Sequence, residues 1–449
     1  MEQSEIDLAL DQVRAALEAG KIDAAIAALA TLHPADRAEA FADLPRDDQN
    51  EILPRLNTEA TADLLEELED EEAAEVAAHL SPETLADVLD EMDPDDAADV
   101  LGDLSPAQAA SALAQMEDAA EVIPLLAHAD DTAGGLMTSE FFALRRQMTT
   151  QMAIDFLRHQ HPATETPYYL YVVDRFNVLI GIVGLRHLIA ADPQATIESI
   201  MKRDVTAVVV GTDQEEVARL MSHYDLAAIP VVDAEGKLVG VINYDDIVDV
   251  MEEEATEDMY RLANLPGDEE TFGSVFGSVK RRLPWLIINL GTAFLAAWVV
   301  SLFENTIAKV AVLAALQSIV AGQSGNSATQ TLTVIVRGVA LGEVELKDAW
   351  RAMLREAGLG ILNGAAIGLI VGLGAWIWRG RPALGFIIAA AMIGDMIAGG
   401  IAGALVPLTL KAFKLDPALA SAVIVTTVTD CVGFGLFLGL ATLFLPYLQ

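Results

Sequence analysis

Five apolar runs fill most of the chain after residue 283, and no water-soluble fold can bury them all. A helix needs about 20 mainly apolar residues to cross the hydrocarbon core of a bilayer. Residues 284–303, 310–336, 357–378, 383–410 and 418–445 meet that length. The second run is interrupted by the polar stretch QSGNSATQ at 323–330. Charge divides the chain at the same place. Residues 1–279 hold 59 acidic and 15 basic side chains, net −44, whereas residues 280–449 hold 8 and 12, net +4. A strongly acidic part is therefore joined to a nearly neutral, membrane-spanning one. Phosphate backbones are repelled by such a surface and cations are attracted to it, so cations rather than nucleic acid are the expected partners.

Basic residues orient the spans. Lys280, Arg281 and Arg282 precede the first. Arg337, Lys347, Arg351 and Arg355 lie between the second and third, and Lys411 and Lys414 between the fourth and fifth. An inside N-terminus puts these on the cytoplasmic side and leaves Lys309, Arg379 and Arg381 outside. The opening segment MEQSEIDLALDQVR lacks the basic flank and apolar core of a signal peptide, so the acidic part is expected in the cytosol. The single cysteine, Cys431, excludes an internal disulfide and a multi-cysteine metal cluster.

Within the spans, ionisable groups mark function more sharply than the many glycines, which the sequence explains by close helix packing. Asp430 closes the run Thr426-Thr427-Val428-Thr429-Asp430, near the middle of the last apolar segment. A carboxylate at that depth faces a cavity, a partner or an ion path, and the threonine oxygens beside it suit a hard cation. Asp395 in the fourth span is a weaker candidate of the same kind. Asp416, just before Pro417, is expected to cap the fifth helix on the cytoplasmic side and to face the mouth of any path through it.

The acidic part reads as three pieces. In the first, Leu32, Leu44, Leu56, Leu68, Leu80, Met92, Leu104 and Met116 recur every twelve residues, with Ala38, Ala62, Ala74, Ala86, Ala98 and Ala110 six positions later. Ser81-Pro82, Asp93-Pro94 and Ser105-Pro106 place a capping oxygen and a first-turn proline after the anchor, so short stacked helices are expected. Asp95 and Asp99 share one helix face. The second piece is a duplication with an offset of 59 residues: Val172-Val173-Asp174 leads to Ile180-Gly181 as Val231-Val232-Asp233 leads to Val239-Gly240. A helix precedes each expected strand pair, at 150–159 and 214–223. This pattern resembles a pair of CBS modules, which commonly bind adenine nucleotides or ions. Asn243-x-x-Asp246 has the shape that often holds a ribose, but the first copy has Gly184-Leu185-Arg186-His187 there. The third piece, residues 244–264, reads as one acidic helix leading toward the membrane. It carries Asp245, Asp246, Asp249, Glu252, Glu253, Glu254, Glu257 and Asp258.

Taken in order, these features resemble the MgtE magnesium channel and transporter family over nearly the whole chain. The motifs that carry the resemblance are DQEEVA at 213–218, EATED at 254–258, 322–330 with its Gly325-Asn326 centre, Arg337-Gly338, Asp416-Pro417-Ala418 and Thr426-Thr427-x-x-Asp430. The resemblance implies a multidomain membrane protein. Its parts are an α-helical solenoid N-domain (1–132), an α/β pair of CBS modules (133–200 and 201–245), a connecting or plug helix (246–270) and a five-helix transmembrane domain (271–449). It implies a homodimer with the pore on its axis, where Asp430, Asp416 and the Thr426 carbonyl contact the ion. Regulatory cation sites would involve Asp63, Asp95 and Asp99 in the N-domain. In the CBS pair they would involve Glu215, the Ser222 carbonyl, Asp225, Asp246 and Asp249, and on the plug helix Glu254, Glu257 and Asp258. ATP at the CBS pair is a further implied ligand.

The expected function is Mg²⁺ uptake across the inner or plasma membrane, driven by the membrane potential and shut when cytosolic Mg²⁺ binds the acidic elements. A carrier or exchanger for Mg²⁺, Co²⁺ or Mn²⁺ is one alternative, and a membrane metal sensor that transports nothing is another. No G-x-x-x-x-G-K-[ST] run is present, and the seven scattered histidines offer no nucleophile–base pairing, so an enzyme is not expected.

Overall fold

The computed structural model describes residues 3–160, 169–265, 274–419 and 421–448, which form two compact units, Met1–Met251 and Glu252–Gln449. The first opens with a helix, Gln3–Glu18, followed by a ladder of short ones that includes Thr58–Glu66, Asp70–Ala77, Pro82–Leu89, Pro94–Asp103 and Pro106–Leu113. Each packs mainly on the helix two places along, 58–66 on 82–89 and 70–77 on 94–103. The twelve-residue period causes this, because one anchor and one alanine per repeat supply a narrow apolar face to each neighbour. Leu32, Leu44, Leu68, Met92, Leu104 and Met116 are buried, as are Ala38, Ala62, Ala74, Ala86 and Ala98. Leu56 and Leu80 are half-buried, and Ala110, on the last full helix of the run, is exposed.

Proline opens three of these helices, where its missing N–H costs nothing. The Thr84 N–H donates to Ser81 Oγ at 3.2 Å and the Gln108 N–H to Ser105 Oγ at 3.4 Å, as the sequence suggested. Asp93 departs from that pattern. Its side chain caps nothing; its own N–H donates to Glu66 Oε1 at 2.9 Å. Burial, then repulsion from Glu140 and Asp245, raises the Asp93 carboxyl above its ordinary range.

The duplication produces two three-stranded sheets of identical design. Strands β1 (Ala143–Arg145), β2 (Tyr169–Val173) and β3 (Leu179–Gly184) make the first; β4 (Val208–Val209), β5 (Ala228–Val232) and β6 (Leu238–Asn243) make the second. In each, the first pairing is parallel and the second antiparallel, with a register shift at Val172/Val173 and again at Val231/Val232. Asn177 and Gly236, 59 positions apart, both take left-handed backbone at φ 66° and 81°, which these two residue types tolerate best. The two hairpins meet there, Leu179 N donating to Gly236 O and Leu238 N to Asn177 O. Expected helices 150–159 and 214–223 are found as Thr150–Gln160 and Gln214–Tyr224.

The acidic connecting helix runs Tyr244–Leu262 and is closed by Asn264 in left-handed backbone, with Leu265 N donating to Tyr260 O. Residues 266–270, assigned to the same element from the sequence, lie outside the described residues. Ile247 and Val250 are buried in the first unit, and Leu262 packs with Leu332, Val336 and Ala418 in the second.

Five long helices build the second unit: Val275–Ser301, Val312–Ala340, Ala349–Arg379, Pro382–Ala412 and Ser421–Leu443. By length and composition, four of the described helices can cross a membrane; Val312–Ala340 falls short only in apolarity, because of its polar stretch. The interruption expected in this second span is one of hydropathy and not of backbone, since all 29 residues are one helix. Three of its hydroxyls find partners without breaking the ladder. Thr329 and Thr333 hydroxyls donate to carbonyls four residues back, and Ser324 Oγ donates to the Asp395 carbonyl at 3.0 Å.

The third and fourth spans touch backbone to backbone. Gly360, Gly364, Gly368 and Gly372 recur every four residues, and a Cβ at each would lie 2.6, 2.7, 3.0 and 2.6 Å from fourth-span backbone atoms. Gly374, off this stripe, faces open space. Close contact of this kind supplies the dispersion energy that holds helices together in lipid. Gly364→Ala is therefore expected to cost about 1–3 kcal/mol by overpacking, and Gly374→Ala nothing measurable. Thermal unfolding of the two variants in detergent checks the difference.

Candidate functional site

Carboxylates gather in two places, one in each unit. In the first unit the centre is the helix Pro94–Asp103. Its first turn carries Asp95 and Asp96, with Asp99 one turn on. Burial drives Asp95 well above the ordinary carboxylate range, followed by repulsion from Asp246. Asp96 is raised in the same way, by burial and then by Asp95 and Glu66. Asp99 is pushed up to about 8 by burial and then by Asp70 and Asp130. Asp246 rises to about 7, chiefly by burial and the neighbouring Asp245, although its Oδ2 accepts the Asn243 N–H at 3.1 Å. Glu66 rises to about 6 by burial, despite the hydrogen bond from Asp93.

The N-domain and the start of the connecting helix thus press acids together that water would keep apart. Asp95 Oδ1 is buried with no hydrogen-bond partner. Among the described residues, no three His, Cys, Asp or Glu side chains converge to enclose a metal directly.

The other sequence candidates in this unit stand apart from that cluster or at its edge. Asp63 lies on the helix Thr58–Glu66, three residues before Glu66, with Arg37 Nη1 at 3.8 Å. Glu215 sits on the first turn of Gln214–Tyr224, while Ser222 and Asp225 are exposed at its far end, Asp225 closing the helix in left-handed backbone. Seven residues of helix put Glu215 and Ser222 about 10 Å apart along the axis, so one ion cannot take both as direct ligands. Asp249 is exposed one turn after Asp246. Asn243 and Asp246 are joined to each other, Asp246 capping the connecting helix. Glu66 and Asp96 were not singled out from the sequence, and Asp93 only as a helix cap. Asp96 adjoins Asp95 in the run DPDD, and Glu66 shares a face with Asp63, which are the only local signals for them.

In the second unit the fifth span carries Asp430 half-buried, with Thr426 exposed and Thr429 fully buried. The hydroxyls of Thr426, Thr427 and Thr429 all donate to carbonyls of their own helix: Ala422, Val423 and Thr426 respectively. The Thr426 carbonyl, an expected ion contact, therefore already accepts the Thr429 hydroxyl at 2.9 Å. Spans two, four and five close tightly beneath Asp430. A Cβ on Gly399 would meet Ser324 Oγ and Thr429 Cγ2 at 3.1 Å, and one on Gly403 would meet the Ala328 carbonyl at 2.8 Å.

At the foot of the fifth span Asp416 has two engagements. Its Oδ1 accepts the Ala418 N–H at 2.7 Å, and its Oδ2 pairs with Arg261 of the connecting helix. Asp416 thus caps the turn 416–419, ahead of the helix that starts at Ser421, because Pro417 opens the turn rather than the helix itself. Arg261 also pairs with Glu257. Burial raises Glu257, an effect that Arg261 opposes, and lifts Asp258 to about 6 with help from Asp416 and Glu254. One guanidinium thus sits among four acids: Glu254, Glu257, Asp258 and Asp416.

Comparison with known proteins follows the same division. Residues 317–440 match the MgtE divalent cation transporter family, 32–131 the MgtE intracellular N domain, and 133–193 and 197–253 the CBS domain. The magnesium transporter MgtE of Thermus thermophilus is 38% identical over 329 residues, 73% of each chain. That of Enterococcus faecalis is 35% identical over 331 residues, 74% of this chain and 73% of the relative. Among solved structures, the cytosolic domain of the Mg²⁺ channel MgtE in complex with ATP is 39% identical with a TM-score of 0.51. It covers 54% of this chain and 99% of its own length. The soluble part of a magnesium transporter is 33% identical at a TM-score of 0.50, over 56% and 99%.

Proposed function

Because this chain belongs to the MgtE family of divalent cation transporters, we propose that it conducts Mg²⁺ across the inner or plasma membrane into the cell and is shut by cytosolic Mg²⁺. The observation that carries the reading is Asp430, an acid half-exposed midway along an apolar helix, where an unneeded charge would cost several kcal/mol. Two copies related by a twofold axis would set two Asp430 side chains across a pore, with the N-terminus in the cytosol. Mg²⁺ gives up its waters reluctantly, so the pore recognises the hydrated ion through them. Entry is driven by the membrane potential, which gives a divalent ion about 4.6 kcal/mol per 100 mV.

Closure follows from the charges. Cytosolic Mg²⁺ gathers Asp95, Asp99, Asp246 and Asp249, with Glu66 and Asp96 beside them, and draws the connecting helices under the bundle. Asp63, Glu215, Ser222 and Asp225 make outlying sites, and Glu254, Glu257 and Asp258 one at the membrane foot. Arg261 holds Asp416 in this arrangement. An adenine nucleotide at the CBS pair belongs to the reading on the strength of the related cytosolic domain solved with ATP.

Mg²⁺ uptake into proteoliposomes, measured against internal Mg²⁺, tests the whole scheme. Flux is expected to fall steeply as internal Mg²⁺ rises, and flux indifferent to it would refute the gate. Arg261→Ala frees Asp416 and loosens the closed state. The internal Mg²⁺ needed for half-closure is expected to rise roughly fivefold, equivalent to ~1 kcal/mol for a partly exposed ion pair.

A further inference from the structure

We infer that Asp395, on the fourth span, sets the divalent affinity of the path past Asp430 by acting through its charge from behind the fifth span. The inference rests on the reading of Asp430 as the pore carboxylate. Asp395 is fully buried, and neither of its carboxylate oxygens has a hydrogen-bond partner. Ser324 approaches it but donates to its backbone carbonyl, not to the carboxylate. A carboxyl group present only for structure would use its oxygens to hold a neighbour. This one holds none.

The carboxylate rests against Gly433, where a Cβ would stand 2.4 Å from Oδ2. No ion fits in that contact, so Asp395 is not itself a ligand. Gly433 lies three residues after Asp430 on the same helix, a rise of about 4.5 Å, which places the two acids within about 10 Å across one helix. Asp395 is shut off from water, so a charge there is poorly screened toward the pore. A divalent ion beside Asp430 feels that field twice as strongly as a monovalent one. The arrangement thus favours Mg²⁺ over monovalent ions without occupying space in the pore. Gly433 is what permits the approach, since any side chain there would push the carboxylate away.

Asp395→Asn keeps the shape and removes the charge. In the reconstituted full chain, half-saturating external Mg²⁺ is expected to rise about tenfold, with the maximal rate changed less than about twofold. The unfolding temperature is expected to hold or rise, because an unpartnered buried charge has been removed. A half-saturation within about twofold of wild type would overturn the inference and leave Asp395 as packing alone. A marked fall in unfolding temperature without that shift would overturn it equally, since the carboxyl would then be holding the bundle. Should the Asn variant fail to fold, Asp395→Ser, smaller and neutral, is read by the same half-saturation. Asp430→Ala is run alongside. Wild-type flux in that variant would bring down the pore reading itself, whereas lost flux there with unshifted Asp395→Asn would bring down this inference only.

Discussion

Asp430→Ala abolishes Mg²⁺ uptake, lowering the initial rate at least about a hundredfold, while the bundle stays folded. The fifth span, Ser421–Leu443, contains a single acid, so no nearby carboxylate on that helix can take its place. The three threonines cannot either. Their hydroxyl hydrogens are committed to carbonyls one turn back, and their oxygens carry no net charge to offset the partial dehydration of a divalent ion. A hundredfold loss corresponds to ~2.7 kcal/mol of barrier, well within what removal of a charge from a low-dielectric path can supply. Fold should survive, because Asp430 is only half-buried and its loss leaves no fully buried cavity. Proteoliposome flux and thermal unfolding, measured on one preparation, separate loss of conduction from loss of structure. Retained flux in a folded variant would remove Asp430 from the pore.

Features with a short period were legible in the sequence. A twelve-residue repeat dictates short helices because each turn of the pattern buries one anchor, and Leu68, Met92 and Leu104 are buried as expected. The 59-residue offset is reproduced strand for strand, down to the left-handed residues Asn177 and Gly236. Asp430 stood out because charge is expensive where it lies. What the sequence did not reveal depends on contacts between distant residues. Arg261 and Asp416 are 155 positions apart and meet only because Leu262 docks on the spans. Glu66 reaches the Asp93 N–H from 27 positions away, and the side-chain cap that Asp93-Pro94 promised is not made. The second span stayed helical through its polar stretch, with Thr329 bonded to its own helix and Ser324 to the fourth span, which hydropathy does not register. Asp395 was visible as an intramembrane acid, but the absence of partners that gives it meaning belongs to the packing.

The metal-free first unit is expected to loosen as pH rises, and Mg²⁺ to cancel the effect. Glu66 at about 6, Asp246 at about 7 and Asp99 at about 8 all stand above their free values of 4.5, 3.8 and 3.8, with Asp95 and Asp96 raised as well. Groups raised by folding bind protons more tightly in the packed state. The packed state is therefore most stable below about pH 4, where both states are protonated. It loses stability as pH climbs from about 4 through about 8 and, for Asp96, on toward about 10, as the free carboxyls ionise first and the packed ones follow. By about pH 8 Glu66, Asp246 and Asp99 have met much of their desolvation and repulsion cost, while Asp96, raised to about 10, and Asp95 with it add theirs only at higher pH. Mg²⁺ binds the ionised cluster and not the protonated one, so it restores packing at high pH and does little at low pH. Amide exchange of the helix Pro94–Asp103 in the full-length protein, corrected for the intrinsic rate, reads this directly. Protection should fall at least about tenfold, ~1.4 kcal/mol, between pH 5 and pH 8 without divalent ions, and millimolar Mg²⁺ should return most of it at pH 8. Protection that is flat with pH, or that rises with it, would mean the acids do not press on one another, and cytosolic Mg²⁺ would then have no repulsion in this unit to relieve.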